Sequence, residues 1–331
     1  MVPVSNVETD PAALRCGTAV DGDRPATAPR VDVLSAREVP LGGPRALLVR
    51  RTLPQRARTL IGAWCFADHY GPVDAGATGM DVPPHPHTGL QTVSWLFSGE
   101  IEHRDSLGSR ALIRPGEMNL MTGGYGIAHS EVSTPDTTVL HGVQLWVALP
   151  GEHRNAARDF QHHVPEPVRL DGAEIKVFLG SLAGSTSPVR TFTALLGAEI
   201  VLEPQAAVTL SVDTAFEHGL LVDSGDVRII GTPLRPAELG YVPCGADTLT
   251  VANESDAPAR VVLLGGPPFE EEIVMWWNFI GRSHEDIVRA REDWQAGSDR
   301  FGAVEGHAGR RLPAPALPNA VIAPRRNPAR R

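Results

Sequence analysis

Two pairs of potential metal ligands stand out in the chain: His85 and His87, then His129 and Glu131. Within each pair the residues stand at i and i+2. Side chains on a β-strand alternate between faces, so residues two apart share one. Two strands offering such pairs to one interior would bring three imidazoles and a carboxylate around a single point. That donor set suits a mononuclear centre of Fe(II), Ni(II), Mn(II), Cu(II) or Zn(II), and ligand type does not choose among them. A redox metal with further coordination positions would keep them open for substrate and dioxygen, whereas a structural zinc would be closed.

The elements that must position these groups read as strands. Pro84 and Pro86 flank His85. Proline lacks an N–H, so this segment belongs at a strand start or sheet edge, and proline's extended φ preserves the shared face. Thr92–Phe97 alternates, with Val93, Trp95 and Phe97 on one side, and Ser98-Gly99 turns the chain into Ile101–Asp105. Met118–Met121 is a further strand. Gly123, Gly124 and Gly126 form a loop just before Ile127–Glu131, and His141–Leu149 closes this half. Turn signals at this density indicate a sandwich or barrel.

Simpler roles fit the other candidate residues. His103 and Asp105 can share a strand face, and a hydrogen-bonded pair steadying a turn is the plainer reading. His69 and His141 read as core or rim histidines, and Cys65 as a small buried hydrophobe. Trp95, Trp146, Trp276 and Trp277 suit a core, although an aromatic near the centre, Trp95 among them, could line a pocket for a flat ligand.

With 331 residues there is room for two domains, and 42% hydrophobic content supports proper cores. Thirty-three Gly and 29 Pro favour short strands and tight turns over a helical bundle. A net charge of −9 argues against nucleic-acid binding. Cys16, Cys65 and Cys244 are too few and scattered for a disulfide framework, and suit a reducing compartment. There is no signal-peptide pattern and no apolar run long enough to span a membrane. The expectation is a cytoplasmic monomer.

Along the chain, residues 1–30 read as a flexible arm, 31–150 as an N-terminal metal-binding unit, and 151–173 as a short helix or linker. Residues 174–300 form a second strand series ending in a helix, and 301–331 a Pro- and Arg-rich tail. A faint repeat joins the halves: WLFSGEIEHRD leads to IRPGEMNLMTGG, and LLVDSGDVRIIG leads to LRPAELGYVPCG. The second copy lacks both ligand pairs, and His218 stands alone in it. Ser283–Ala296 is the clearest helix: Ser283 and Asp286 suit a capping box, Ile287, Ala290 and Trp294 share a face, and Gly297 suits a C-terminal cap. Six arginines against Glu305 give the tail +5, leaving −14 for the rest. The tail is expected to be dispensable for metal content and stability, although Leu312–Asn319 could lie extended across a surface.

The run HPHTGLQTVSWLFSGEIEHRDSLGSRALIRPGEMNLMTGGYGIAHSE, with HGVQLWVALP after it, resembles the signature of the pirin family of the cupin superfamily. Together with the second repeat and the terminal helix, the resemblance covers about residues 32 to 300. It implies an all-β fold of two cupin-type β-sandwich barrels, a bicupin, with a few short helices and a C-terminal helix. It also implies one metal, usually iron and so Fe(II), in the N-terminal barrel, bound by His85, His87, His129 and Glu131. Where pirins often read HPHRGFE, this chain reads HPHTGLQ. Thr88 and Gln91 therefore replace an arginine and a glutamate, which alters charge beside the expected centre.

Two functions follow from the resemblance. The first is a dioxygenase that opens flavonols such as quercetin with loss of carbon monoxide, Glu131 accepting the substrate proton. The second is a metal-bearing regulatory protein that acts through a protein partner. A pocket of flat-ligand size beside the metal favours the first, and a sealed site with an exposed apolar patch the second.

Overall fold

The structure, a computed structural model, describes residues 30–41, 47–75, 79–325 and 327. Of the arm expected over residues 1–30, residues 1–29, with Cys16, lie outside them. Turn-forming residues cut the first half into β1 (Asp32–Ser35), β2 (Arg37–Leu41), β3 (Leu47–Leu53), β4 (Trp64–Asp74), β5 (Asp81–His87), β6 (Leu90–Ser98), β7 (Ile101–Asp105), β8 (Arg110–Ile113), β9 (Met118–Thr122), β10 (Ile127–Ser133), β11 (Val139–Ala148) and β12 (Asp159–His163). The second half supplies β13 (Val168–Leu170), β14 (Ala173–Leu179), β15 (Ser181–Leu182), β16 (Ser185–Thr186), β17 (Leu196–Leu202), β18 (Ala207–Ser211), β19 (Glu217–Ser224), β20 (Val227–Ile229), β21 (Thr232–Leu234), β22 (Glu238–Val242), β23 (Thr248–Asn253) and β24 (Ala259–Gly266). A ribbon of β25 (Val274–Trp276) and β26 (Phe279–Gly281) leads into helix α1 (His284–Ala296).

Each half is a seven-stranded sheet opposed by a four-stranded one. The orders are β12-β9-β6-β11-β4-β3-β2 with β5-β10-β7-β8, and β1-β22-β19-β24-β17-β14-β13 with β18-β23-β20-β21. The two barrels therefore repeat strand for strand, and the faint sequence repeat is a structural one. Gly99 and Gly225 make the same turn, each after a serine, with φ of 85° and 91° that a side chain would oppose. The edges depart from the sequence boundaries. β1 joins the second barrel, and β12, from a stretch read as helix or linker, joins the first. Runs this short carry too little periodicity to announce themselves as strands.

The two large sheets pack face to face. Val93, Trp95, Leu120, Val143 and Leu145 of the first barrel share one buried cluster with Phe178, Leu221, Leu239, Val262 and Leu264 of the second. Helix α1 carries the expected capping box and left-handed Gly297 cap, and it buries Ile287, Ala290 and Trp294. It is the one helix whose bounds lie within the described residues, where a few short helices were expected besides.

The tail docks against the body as an extended strap, as Leu312–Asn319 allowed. Leu312 and Ala314 are buried, the Leu312 amide donates to the Pro84 carbonyl at 2.8 Å, and Trp294 Nε1 donates to the Leu312 carbonyl at 2.7 Å. Arg325 exchanges backbone hydrogen bonds with Ile273, and Asn327 accepts from the Thr59 and Leu60 amides. The strap thereby covers the free edge of β5, the strand that its prolines confine to an edge. Its anchors are backbone groups and a few side chains, so composition alone does not reveal them.

Candidate metal centre

β10 lies between β5 and β7, with His129 opposite His85 on one side and Asp105 on the other. Between His129 and Glu131 the β5 register slips, so that Glu131 faces Val82, while the β7 register runs on to His103. Pro83 and Pro84 together oppose the single residue Ser130, and since neither can donate to a ladder they suit a bulge. This pairing places both expected histidine strands against one interior.

His85, His87 and His129 bring one ring nitrogen each to within 4.8 Å of one another, all buried. His87 Nε2 and His129 Nε2 are 3.0 Å apart. His85 Nδ1 lies 2.9 Å from the Pro83 carbonyl, to which it donates, and that leaves Nε2 with a free lone pair. Burial pushes His85 down to about 4, and His87 and His129 well below the usual imidazole range. The three rings are therefore neutral, the state a metal requires. Glu131 groups with His129 and His103 in an overlapping set of donor atoms. Burial raises its carboxyl, and Ser94 Oγ holds Oε1 at 3.0 Å. The donor set fits a divalent metal: neutral imidazoles, one carboxylate and no cationic side chain among the lining residues.

The cavity here is lined by Phe66, Met80, Val82, Gln144 and Trp146 with the candidate ligands, and has a volume of about 20 Å³. Trp146 stacks on Phe66 at 4.0 Å and meets His87 edge-on at 5.2 Å. Neither Ser94 nor Gln144 was singled out by sequence, although each alternates onto the interior face of a recognised strand.

His103 is adjacent to the centre, with its Nδ1 3.4 Å from His129 Nδ1. Three other expected neighbours lie elsewhere. Trp95 points into the joint between barrels, donating to Glu199 at 3.2 Å and packing on Phe178. Gln91 shares that face and donates to Thr122 at 3.0 Å. Thr88 lines a separate surface groove with Tyr125, Arg154 and Arg300. Alternation tells which residues share a face, but not which face looks inward.

The positions in β18, β20 and β23 that match His85, His103, His129 and Glu131 by register are Leu210, Ile229, Leu249 and Val251, all buried. Apolar packing thus replaces each of these four groups. His218 in β19 is fully buried, burial pushes it to about 4, and neither ring nitrogen has a hydrogen-bond partner among the described residues.

A further group, His69, His141 and Asp223, ties the barrels together. Asp223 Oδ1 lies 2.7 Å from His69 Nε2 and 2.5 Å from His141 Nε2. Burial holds His69 below the usual imidazole range against the opposing pull of Asp223. Arg260 supplies positive charge to Asp223 at 3.3 Å, and Arg50 stands 3.4 Å from His69. Two guanidinium groups oppose a cation there, and the cluster reads as a clasp.

Comparison with known proteins agrees with this architecture. The pirin family pattern matches residues 46–147, and the pattern of the pirin C-terminal cupin domain matches residues 197–302. A protein of Pseudomonas aeruginosa, provisionally named a quercetin 2,3-dioxygenase, is 45% identical over 287 residues, covering 86% of this chain and 90% of its own. A crystal structure of quercetin 2,3-dioxygenase from Acinetobacter baumannii superposes with a TM-score of 0.84 at 38% identity, over 90% of this chain and 98% of its own. A bacterial pirin from Escherichia coli, solved with nickel(II), shares the fold at 18% identity and a TM-score of 0.57, over 72% of this chain and all of its own.

Proposed function

The chain belongs to the pirin family, and on that premise we propose that it is a metal-dependent oxidoreductase acting on flavonols such as quercetin. Its metal would be held by His85, His87, His129 and Glu131 in the N-terminal barrel. The observation that carries this reading is the convergence of three neutral, buried imidazoles beside a carboxylate, with the His87 and His129 Nε2 atoms 3.0 Å apart. The names of the Pseudomonas and Acinetobacter relatives support the substrate class, and the nickel in the Escherichia coli neighbour supports a divalent ion. Among such ions, Fe(II) is the family's usual one.

A metal at this point supplies Lewis acidity that favours the deprotonated form of an enol. The chain's own groups do the rest. Glu131 takes the enol proton: burial makes its carboxyl more basic, and Ser94 fixes one oxygen. Phe66 and Trp146, stacked in parallel, give the cavity a flat apolar wall that excludes water. Small-molecule pockets usually span ~300–1,000 Å³. At about 20 Å³ this one admits a flavonol only when its lining widens.

That closed cavity favours a second reading, in which the metal-bearing chain regulates a protein partner without catalysis. Metal analysis paired with oxygen uptake over a panel of flavonols separates the two. Uptake that tracks metal content supports the enzyme, and no uptake by fully metal-loaded protein leaves the regulatory reading.

A further inference from the structure

Beside the candidate ligands stands a chain of groups with no place in the reaction above. Asp105 Oδ1 accepts the backbone amides of Leu107 and Ser109, each at 2.9 Å. Its other oxygen, Oδ2, lies 3.1 Å from His103 Nε2, and His103 Nδ1 lies 3.4 Å from His129 Nδ1. Phe160 of β12 stacks on the His103 ring at 4.8 Å and 26°. All three polar side chains are buried.

We infer that Asp105 and His103 are positioning residues that set the tautomer of His129, so that His129 offers Nε2 to the metal. The inference deepens the proposed site and rests on His129 being a ligand. The polarity runs in one direction. A carboxylate only accepts, so His103 must carry its proton on Nε2. With its one proton held on Nε2 by Asp105, His103 turns the Nδ1 lone pair toward His129 Nδ1 and accepts its N–H. His129 Nε2 is thereby left unprotonated on the side facing His87 Nε2. A carboxylate bonded to a ligating histidine is a common support of metal sites; here a second imidazole is inserted between the two.

The two amides on Oδ1 make the inference testable with an isosteric change. In Asp105→Asn the amide oxygen must stay where the backbone amides need an acceptor, which turns the NH₂ toward His103. His103 must then accept on Nε2 and carry its proton on Nδ1, where it opposes the Nδ1 proton of His129. His129 must either move its proton to Nε2 or turn away, and both outcomes spoil the ligand. His103→Leu instead removes the relay without reversing it.

The test has two arms. Long-range imidazole ¹⁵N spectra of the Zn(II)-loaded wild type read the tautomers directly. Protons on His103 Nε2 and His129 Nδ1 are expected, and a proton on His103 Nδ1 would overturn the inference. In the second arm, Ni(II) dissociation constants are measured by chelator competition. Asp105→Asn should bind ~10–100-fold more weakly than wild type. The double variant Asp105→Asn/His103→Leu should bind no more weakly than His103→Leu alone. Wild-type affinity in Asp105→Asn, or a further tenfold loss in the double variant, refutes the relay. Failure of His129→Ala to lose metal refutes the underlying ligand assignment instead. Should Asp105→Asn not fold, the wild-type spectra still decide.

Discussion

Replacing Leu312 by Ala probes the docked tail most sharply. The side chain is 6% exposed and belongs to the same apolar cluster as Val82, Trp294 and Phe301. Truncation to Ala removes the equivalent of three methylene groups at about 0.8 kcal/mol each, or about 2.4 kcal/mol of lost transfer free energy. The strap is bounded by solvent on one side and can settle into the space, so the cavity term is small and the total falls at about 2–3 kcal/mol. Urea unfolding followed by tryptophan fluorescence measures this, and Val321→Ala in the same strap, at 76% exposed, provides the control. That control should stay within about 0.5 kcal/mol of wild type. Because the Leu312 amide also bonds the Pro84 carbonyl, beside His85, Leu312→Ala should release bound Ni(II) faster than Val321→Ala. Equal stabilities for the two variants would refute the docked strap and restore the reading of a dispensable tail.

Other outcomes follow from the same structure. Hydrogen bonds from His141 and His69 outweigh burial at Asp223 and hold its carboxyl below the usual range. The stability it contributes is therefore complete above the unfolded value of about 4 and is lost as pH falls below that. Asp223→Asn should cost about 1–3 kcal/mol at neutral pH and flatten the acid limb of the stability profile; an unchanged limb would show that the clasp contributes nothing. Glu131→Gln should keep much of its metal yet lose flavonol turnover by ~100-fold, measured as oxygen uptake per bound metal, and undiminished turnover would remove it as the base. Gln91→Glu, which faces the joint between barrels, should lower thermal stability while metal content by elemental analysis stays at the wild-type level. A changed metal content would mean that Gln91 communicates with the centre.

Much of the first barrel is legible because its strands are long enough to alternate. The i, i+2 pairs foretell that His85 joins His87 and His129 joins Glu131, and the antiparallel pairing of β5 with β10 brings the two sets together. The prolines beside His85 foretell an edge strand. Sequence does not reveal the slip at Pro83 and Pro84, which depends on pairing with a distant strand and sets Glu131 opposite Val82, nor the regular β7 pairing that sets it opposite His103. Nor does it tell which face of β6 looks inward, so Trp95 and Gln91 belong to the joint between barrels while Ser94 serves the centre. The strap and the exchanged edges β1 and β12 rest on backbone hydrogen bonds, to which side-chain patterns are blind.

The proposed function requires one metal in the N-terminal barrel, held by His85, His87 and His129 with Glu131. Elemental analysis of wild type and of His129→Ala, purified side by side and challenged with equal Ni(II), tests it most directly. His129 belongs to both overlapping donor groups around the centre, so its loss disables each. The expected result is about one equivalent per chain in wild type and near none in the variant, with both proteins folded by circular dichroism. Equal occupancy in the two would place the metal elsewhere and remove these residues as its ligands.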